Sequence, residues 1–214
     1  SAHWWLDQAE ALERRGDRER EAGFLARAAG ARLDEGAHDR LVSACRRLPD
    51  ARAASAVVDL LARRAGPEPD AALEAALFAA ERGLRPQALR QLDRVAANAL
   101  TADQLRAAVG VCRALGDPRL TLTWLAKLAR LAPGDPGVAL EQAQACAEAG
   151  RTREAIRFLD RIESPRAAPE QVMSAAIQLQ GLGQGEKGLV LLEGLVRAHP
   201  EDVRYLSNRG VAKA

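Results

Sequence analysis

Three cysteines, three histidines and one glycine-rich string are the residues of this 214-residue chain whose types could support chemistry. Cys45, Cys112 and Cys146 could in principle act as a nucleophile, as metal ligands or as a disulfide pair, yet no CxxC pair exists to chelate a metal. His3, His38 and His199 are scattered, and none pairs with Asp, Cys or Ser at a spacing that builds a triad. His38 and Cys45 lie two helical turns apart, about 10 Å, beyond hydrogen-bond reach. Gly183-Gln184-Gly185-Glu186-Lys187-Gly188 spells GxGxxG. That string cradles a pyrophosphate only where a strand precedes it, and the preceding stretch 174–182 is Ala- and Gln-rich and helix-patterned. Carboxylate pairs such as Glu19 and Glu21 read as solvated charges. No combination amounts to an active site, so the chain is read as non-enzymatic, with no cofactor and no metal.

The elements that position these residues come from a periodic turn signal. Gly16, Pro49, Gly83, Gly116, Gly150 and Gly183 each separate two apolar helix-patterned stretches, at intervals of 33, 34, 33, 34 and 33 residues. Self-similarity at that period marks helix–turn–helix units that bury their apolar faces only against neighbours. The spacing predicts first helices over 3–15, 37–47, 68–82, 102–115, 136–149, 168–181 and 202–214. Second helices are predicted over 18–33, 51–64, 85–98, 117–131, 152–163 and 185–198. Asp117-Pro118 and Asp135-Pro136 each set an N-cap carboxylate before a proline at the first helical position. Thr101 with Gln104 fits a capping box, and Pro133 and Pro200 stop second helices.

Three rows follow from taking the turn as origin. Five residues after it stand Ala54, Ala88, Thr121, Ala155 and Gly188, small enough for close helix approach, with Glu21 the exception and Ala22 its neighbour. Nine after it stand Leu25, Val58, Leu92, Leu125, Leu159 and Leu192, and seven before it Ala9, Val42, Ala76, Val109, Ala143 and Ala176. All three cysteines fall four before a turn, where Leu12, Ala79 and Leu179 stand in other units, and so read as core thiols. Neighbouring equivalent helices lie about 8–10 Å apart, too far for easy disulfide bridging. Gly183 is then a turn and Gly188 a packing position.

Composition agrees. Aromatics are 3% of the chain, against the many β-branched and aromatic strands an all-β fold needs. Net charge is +2 with Arg and Glu interspersed, whereas a nucleic-acid binder shows a single-sign stripe. No apolar run reaches the roughly 20 residues that span a bilayer. Three lysines against 28 arginines suit a GC-rich bacterial genome.

Small residues at two rows, a glycine turn between them and a closing proline resemble the tetratricopeptide (TPR) repeat. The resemblance covers the whole chain and is best around Gly150 and Gly183; Trp5 alone keeps the aromatic near the start of a first helix. It implies an all-α, right-handed α-solenoid of antiparallel helix pairs. The expected organisation is a single array, 1–214, with units near 1–34, 35–67, 68–101, 102–134, 135–168 and 169–201 and a partial unit 202–214.

The resemblance further implies that first helices line a concave groove that takes a protein or peptide partner. Projection places Arg40, Ser43, Arg46, Arg106, Arg113 and Gln144 toward it, with Asp39, Arg47 and Glu148 nearby. Arg40, Arg46, Arg106 and Arg113 would form a modestly basic strip for an acidic partner; the alternative is that they are solvated. Leu73, Leu77, Leu140, Met173 and Ile177 would line part of the groove as an interface if exposed and as core if covered. The Lys and Asn of carboxylate-holding relatives are absent from the matching positions.

The partial last unit, with Val203, Leu206 and Val211 unpartnered, and the missing initiator Met suggest a segment of a longer array, with self-association through its ends. Trp4 and Trp5 would face a preceding unit. The resemblance favours a bacterial envelope scaffold, periplasmic rather than cytoplasmic, that recruits a partner to exopolysaccharide secretion. The alternatives are a TPR region of a larger glycosyltransferase or sulfotransferase, or a cytoplasmic peptide-sensing regulator. If the basic strip binds the partner, Arg106→Glu with Arg113→Glu weakens its capture, and unchanged affinity in that double variant removes the strip from consideration.

Overall fold

The computed structural model describes residues 1–47, 51–64, 69–96, 99–162 and 167–213. Among the described residues there are thirteen helices and no strand: α1 (Ala2–Arg15), α2 (Arg18–Ala29), α3 (Glu35–Arg47), α4 (Ala51–Arg64), α5 (Pro69–Glu81), α6 (Arg85–Ala96), α7 (Ala102–Ala114), α8 (Pro118–Leu131), α9 (Pro136–Glu148), α10 (Thr152–Leu159), α11 (Pro169–Gly181), α12 (Gly185–Ala198) and α13 (Val203–Lys213). They fall into two compact units, Ser1–Gly116 with α1–α7 and Asp117–Ala214 with α8–α13. Odd-numbered helices are the first helices of the repeats.

The turns explain the beat. Gly16 adopts φ 75°, where a side chain is disfavoured and glycine is not. Its N–H reaches Glu13 O at 3.0 Å while the Asp17 N–H reaches back to Leu12 O at 3.1 Å. This is the Schellman arrangement, which satisfies carbonyls left over at a helix end. The same pair recurs at Gly83 (with Leu84 N–H to Ala79 O, 2.9 Å), at Gly150 (Arg151 N–H to Cys146 O, 2.8 Å) and at Gly183 (Gln184 N–H to Leu179 O, 2.8 Å). Gly116 shares the left-handed φ. Pro49 lies outside the described residues. At the other helix ends, Asp117 and Asp135 cap α8 and α9, and Thr101 and Gln104 form the predicted capping box on α7.

The predicted rows are the core. All six residues nine after the turn are buried, and so are all six residues seven before it. Ala88, Thr121, Ala155 and Gly188 are buried; the side chain of Ala54 lies outside the description. Cys45, Cys112 and Cys146 are free and buried, and burial pushes the Cys146 thiol above its ordinary pKa.

Two expectations need correction, the burial of one carboxylate and the ends of two helices. Glu21 is not a solvated charge: it is 1% exposed, and Arg18 Nη1 donates to its Oε2 at 3.0 Å. A charge at the small position is tolerated because a guanidinium from the preceding helical turn neutralises it. Helix α2 stops at Ala29, where Gly30 caps it, and not near 33; α10 stops at Leu159 and not near 163, with Ile162 turning back into the core. Beyond these corrections, Trp4 and Trp5 stack edge-on at 4.6 Å and pack on Phe24 of their own hairpin, with Arg27 5.2 Å above the Trp5 ring, while Trp4 remains 49% exposed. In α13 the buried anchor is Tyr205, set among Val172, Ala176, Leu192 and Leu195, while Val203 is 70% exposed; the side chain of Val211 is outside the description.

Among the described glycines, Gly188 is the one with the least room for a side chain. A Cβ there would stand 2.7 Å from the Ala176 carbonyl oxygen, a backbone atom that cannot swing aside. At Gly194, on the same helix, a Cβ meets nothing within 4 Å. Gly188→Ala is therefore expected to destabilise by about 1–3 kcal/mol, whereas Gly194→Ala gains up to about 1 kcal/mol of helix propensity. Chemical denaturation of the two variants checks the opposite signs.

Candidate functional site

Successive first helices of a unit meet along seams, and the seams are of two kinds. The α1/α3 seam is closed by charge. Arg40 donates from Nη2 to Asp7 Oδ1 at 2.8 Å and to Glu10 Oε1 at 2.8 Å, with a further bond from Nε to Glu10 at 3.2 Å. Below it Arg47 forks onto Glu13 at 3.0 and 3.3 Å, and at the other end His3 Nε2 lies 2.8 Å from Asp34 Oδ2. Bonds to Asp7 and Glu10 hold the Arg40 guanidinium above its ordinary pKa; the bond from Arg47 holds Glu13 below the usual carboxylate range. Asp34 is lowered as well, first by the Ala37 N–H it accepts and then by His3. His3 does therefore meet an aspartate, one repeat away and at the surface, as part of this seam.

Two other seams open into clefts. Between α5 and α7 lies one of about 540 Å³, lined by Leu73, Leu77 and Ala107 with Asp70, Glu74, Thr101, Asp103 and Gln104 around them. The Gln104 amide donates to Asp70 Oδ1 at 2.9 Å while its oxygen accepts the Thr101 N–H at 3.0 Å, so the capping box of α7 also ties it to α5. In the second unit a cleft of about 390 Å³ lies between α9 and α11, lined by Gln144, Ala147, Glu148, Gln178, Gly181 and Leu182.

The predicted groove residues divide accordingly. Arg40, Ser43 and Arg46 are on α3, Arg106 and Arg113 on α7, and Gln144 on α9 of the other unit. Arg40 is half-buried and committed to the seam. Ser43, Arg46, Arg106 and Arg113 are exposed. Arg46 gives its backbone carbonyl to Arg82 in the turn after α5, and Arg106 pairs with Asp103 at 3.4 Å. The expected basic strip is thus interrupted: two of its four arginines face carboxylates of this chain, and Asp70 and Glu74 stand on α5 beside α7. Gln144 does line a cleft, donating to Glu148 at 3.1 Å.

Of the apolar groove set, Leu73 is core at 3% exposure, and Leu140 and Met173 pack onto buried clusters. Leu77 lines the first cleft and Ile177 is 47% exposed. Sequence reasoning missed the acidic residues of the first cleft. Their signal was present: Asp70, Asp103 and Glu170 all stand thirteen residues before a turn.

No protein-family model matches the chain, and no curated protein matches it in sequence. Solved structures do. The MamA protein superposes with a TM-score of 0.52 at 12% identity, over 95% of this chain and 94% of that one. A tetratricopeptide repeat protein from Parabacteroides merdae gives 0.48 at 10% identity, over 100% and 84%. YrrB, described as a TPR protein with an unusual peptide-binding site, gives 0.46 at 16% identity, over 98% and 92%. The fold is that of the TPR α-solenoids. The turn glycines, the small rows and the buried knobs of this array are the residues that give it that fold.

In the α1/α3 seam, charge adds a modest, pH-dependent increment to stability. The pKa of Glu13 is depressed in the folded state, so its contribution is complete above the unfolded-state pKa of about 4.3. It is lost as pH falls through the lower folded value. Arg47→Gln is expected to cost about 0.5–1 kcal/mol at neutral pH, given that the pair is partly exposed, and to flatten the loss of stability on acidification. Denaturation at pH 7 and in steps down to pH 3 measures both effects.

Proposed function

We propose that the chain is a non-catalytic scaffold that holds a protein partner along the first helices of each unit. The observation that carries this reading is the pair of clefts opening between first helices, each with apolar lining and polar rims. They are held by turns and seams already formed without a partner, which lowers the ordering cost of association. Gln144 belongs to the lining of the second cleft, and Arg106 and Arg113 stand on α7, one of the two helices that bound the first. Among the described residues no helix is long and apolar enough to cross a membrane. The setting we favour is a bacterial envelope complex such as exopolysaccharide export, in which this segment of a longer array recruits an enzyme or lipoprotein. Array periodicity and composition support that setting.

Cross-linking of the chain in extracts of its source organism, followed by mass spectrometry, tests the reading. One partner is expected to cross-link to residues around Leu77 or Leu182, and Leu77→Asp with Leu182→Asp to abolish that capture while leaving helix content unchanged. A partner retained by the double variant overturns the assignment of these clefts. A transferase or DNA-binding domain found flanking the segment in its gene replaces the export setting with an enzyme's interaction region or a cytoplasmic regulator.

A further inference from the structure

The α1/α3 seam shows how the carboxylates of one first helix are met by a guanidinium of the next. Nine residues before the turn stand Asp7 in the first repeat and Arg40 in the second, and six before it stands Glu10. Across the seam Arg40 reaches both carboxylates at 2.8 Å. The seam therefore consists of an acidic row on one first helix and a guanidinium delivered from the next.

The α5/α7 seam repeats half of this arrangement. The same row holds Glu74 on α5, with Asp70 one turn before it on the same face, and both line the cleft. The residue of α7 in the row of Arg40 is Ala107, which also lines the cleft and brings no cation. Gln104 takes one oxygen of Asp70 at 2.9 Å, and Arg106 points to Asp103 at 3.4 Å. In place of Glu10 the row six before the turn has Leu77, and Leu73 adds to the apolar floor. Such a cleft suits a long side chain with an apolar stem and a planar cationic head.

Resting on the reading of the chain as an interaction scaffold, we propose that the α5/α7 cleft takes an arginine side chain from a basic segment of the partner protein. Its stem lies on Leu73, Leu77 and Ala107 and its head between Glu74 and Asp70, the relation that Arg40 has to Asp7 and Glu10. Charge complementarity selects this occupant over an acidic one. An acidic segment would set its carboxylates against Asp70, Glu74 and Asp103, and a like-charge contact of that kind disfavours binding.

The test uses short fluorescent peptides of one Leu/Ala framework carrying arginine, its neutral isostere citrulline, or glutamate at the centre, titrated by anisotropy at about 0.15 M salt. The arginine peptide is expected to bind on the order of tenfold more tightly than the citrulline peptide, as for a charge-assisted pair worth about one factor of ten. Glu74→Gln with Asp70→Asn should remove that difference, and shifts of the Leu73 and Leu77 methyl resonances should accompany binding. Ala107→Arg rebuilds the closed seam inside the chain; it should abolish binding of the arginine peptide and raise thermal stability, a gain that a misfolded variant would not show. Equal binding of the arginine and citrulline peptides, or tighter binding of the glutamate peptide, overturns the arginine anchor. If a partner still cross-links near Leu77 in that case, the scaffold reading stands without the anchor; if no partner cross-links while the arginine peptide binds, the scaffold reading falls by itself.

Discussion

The left-handed turn glycine, with the hydrogen bond that at Gly16, Gly83, Gly150 and Gly183 runs from the next residue back to the carbonyl five residues earlier, is the constraint from which the remaining structure follows. It ends the first helix at one residue and starts the second in a fixed direction. Counting from it then places the same row of side chains at the same depth in every repeat. A backbone bond of this kind depends on a left-handed residue, and glycine supplies that conformation at five of the six turns. The carbonyl acceptors belong to the row that includes Cys146. That row is buried at Cys45, Ala79, Cys112, Cys146 and Leu179, which is why a thiol there packs like a small apolar side chain.

What was readable in the sequence was what local chemistry determines. Left-handed glycines, N-cap aspartates and helical periodicity each act within a few residues, so helix existence, the buried rows and the capping box could be placed from spacing alone. The role of the GxGxxG string resolves in the same way: Gly183 closes a turn and Gly188 meets the Ala176 carbonyl.

Charge pairing was much less readable, because it acts between residues about 30 positions apart. Arg40 projects toward the groove in sequence and is drawn into the seam by Asp7 and Glu10, which no single-helix projection contains. Glu21 was misread for a related reason, since Arg18 allows burial of a carboxylate that composition assigns to solvent. Tyr205, which no row counted from the turns singles out, is the buried anchor of α13 against Val172 and Leu192. The acidic lining of the first cleft is illegible in any single-helix projection, as the pairing of Arg40 is, because Asp70 and Glu74 of α5 meet Asp103 of α7 only across a seam about 30 residues wide.

The difference between Arg40 and Ala107 has a consequence for how such a chain can change over generations. The helix pairs, turns and core rows do not depend on which of these residues occupies the row. One codon there decides whether a seam spends its carboxylates on holding two repeats together or offers them to another molecule. Rigidity and adhesiveness can therefore be exchanged repeat by repeat, without the fold being rebuilt, through a single substitution that adds or removes one guanidinium.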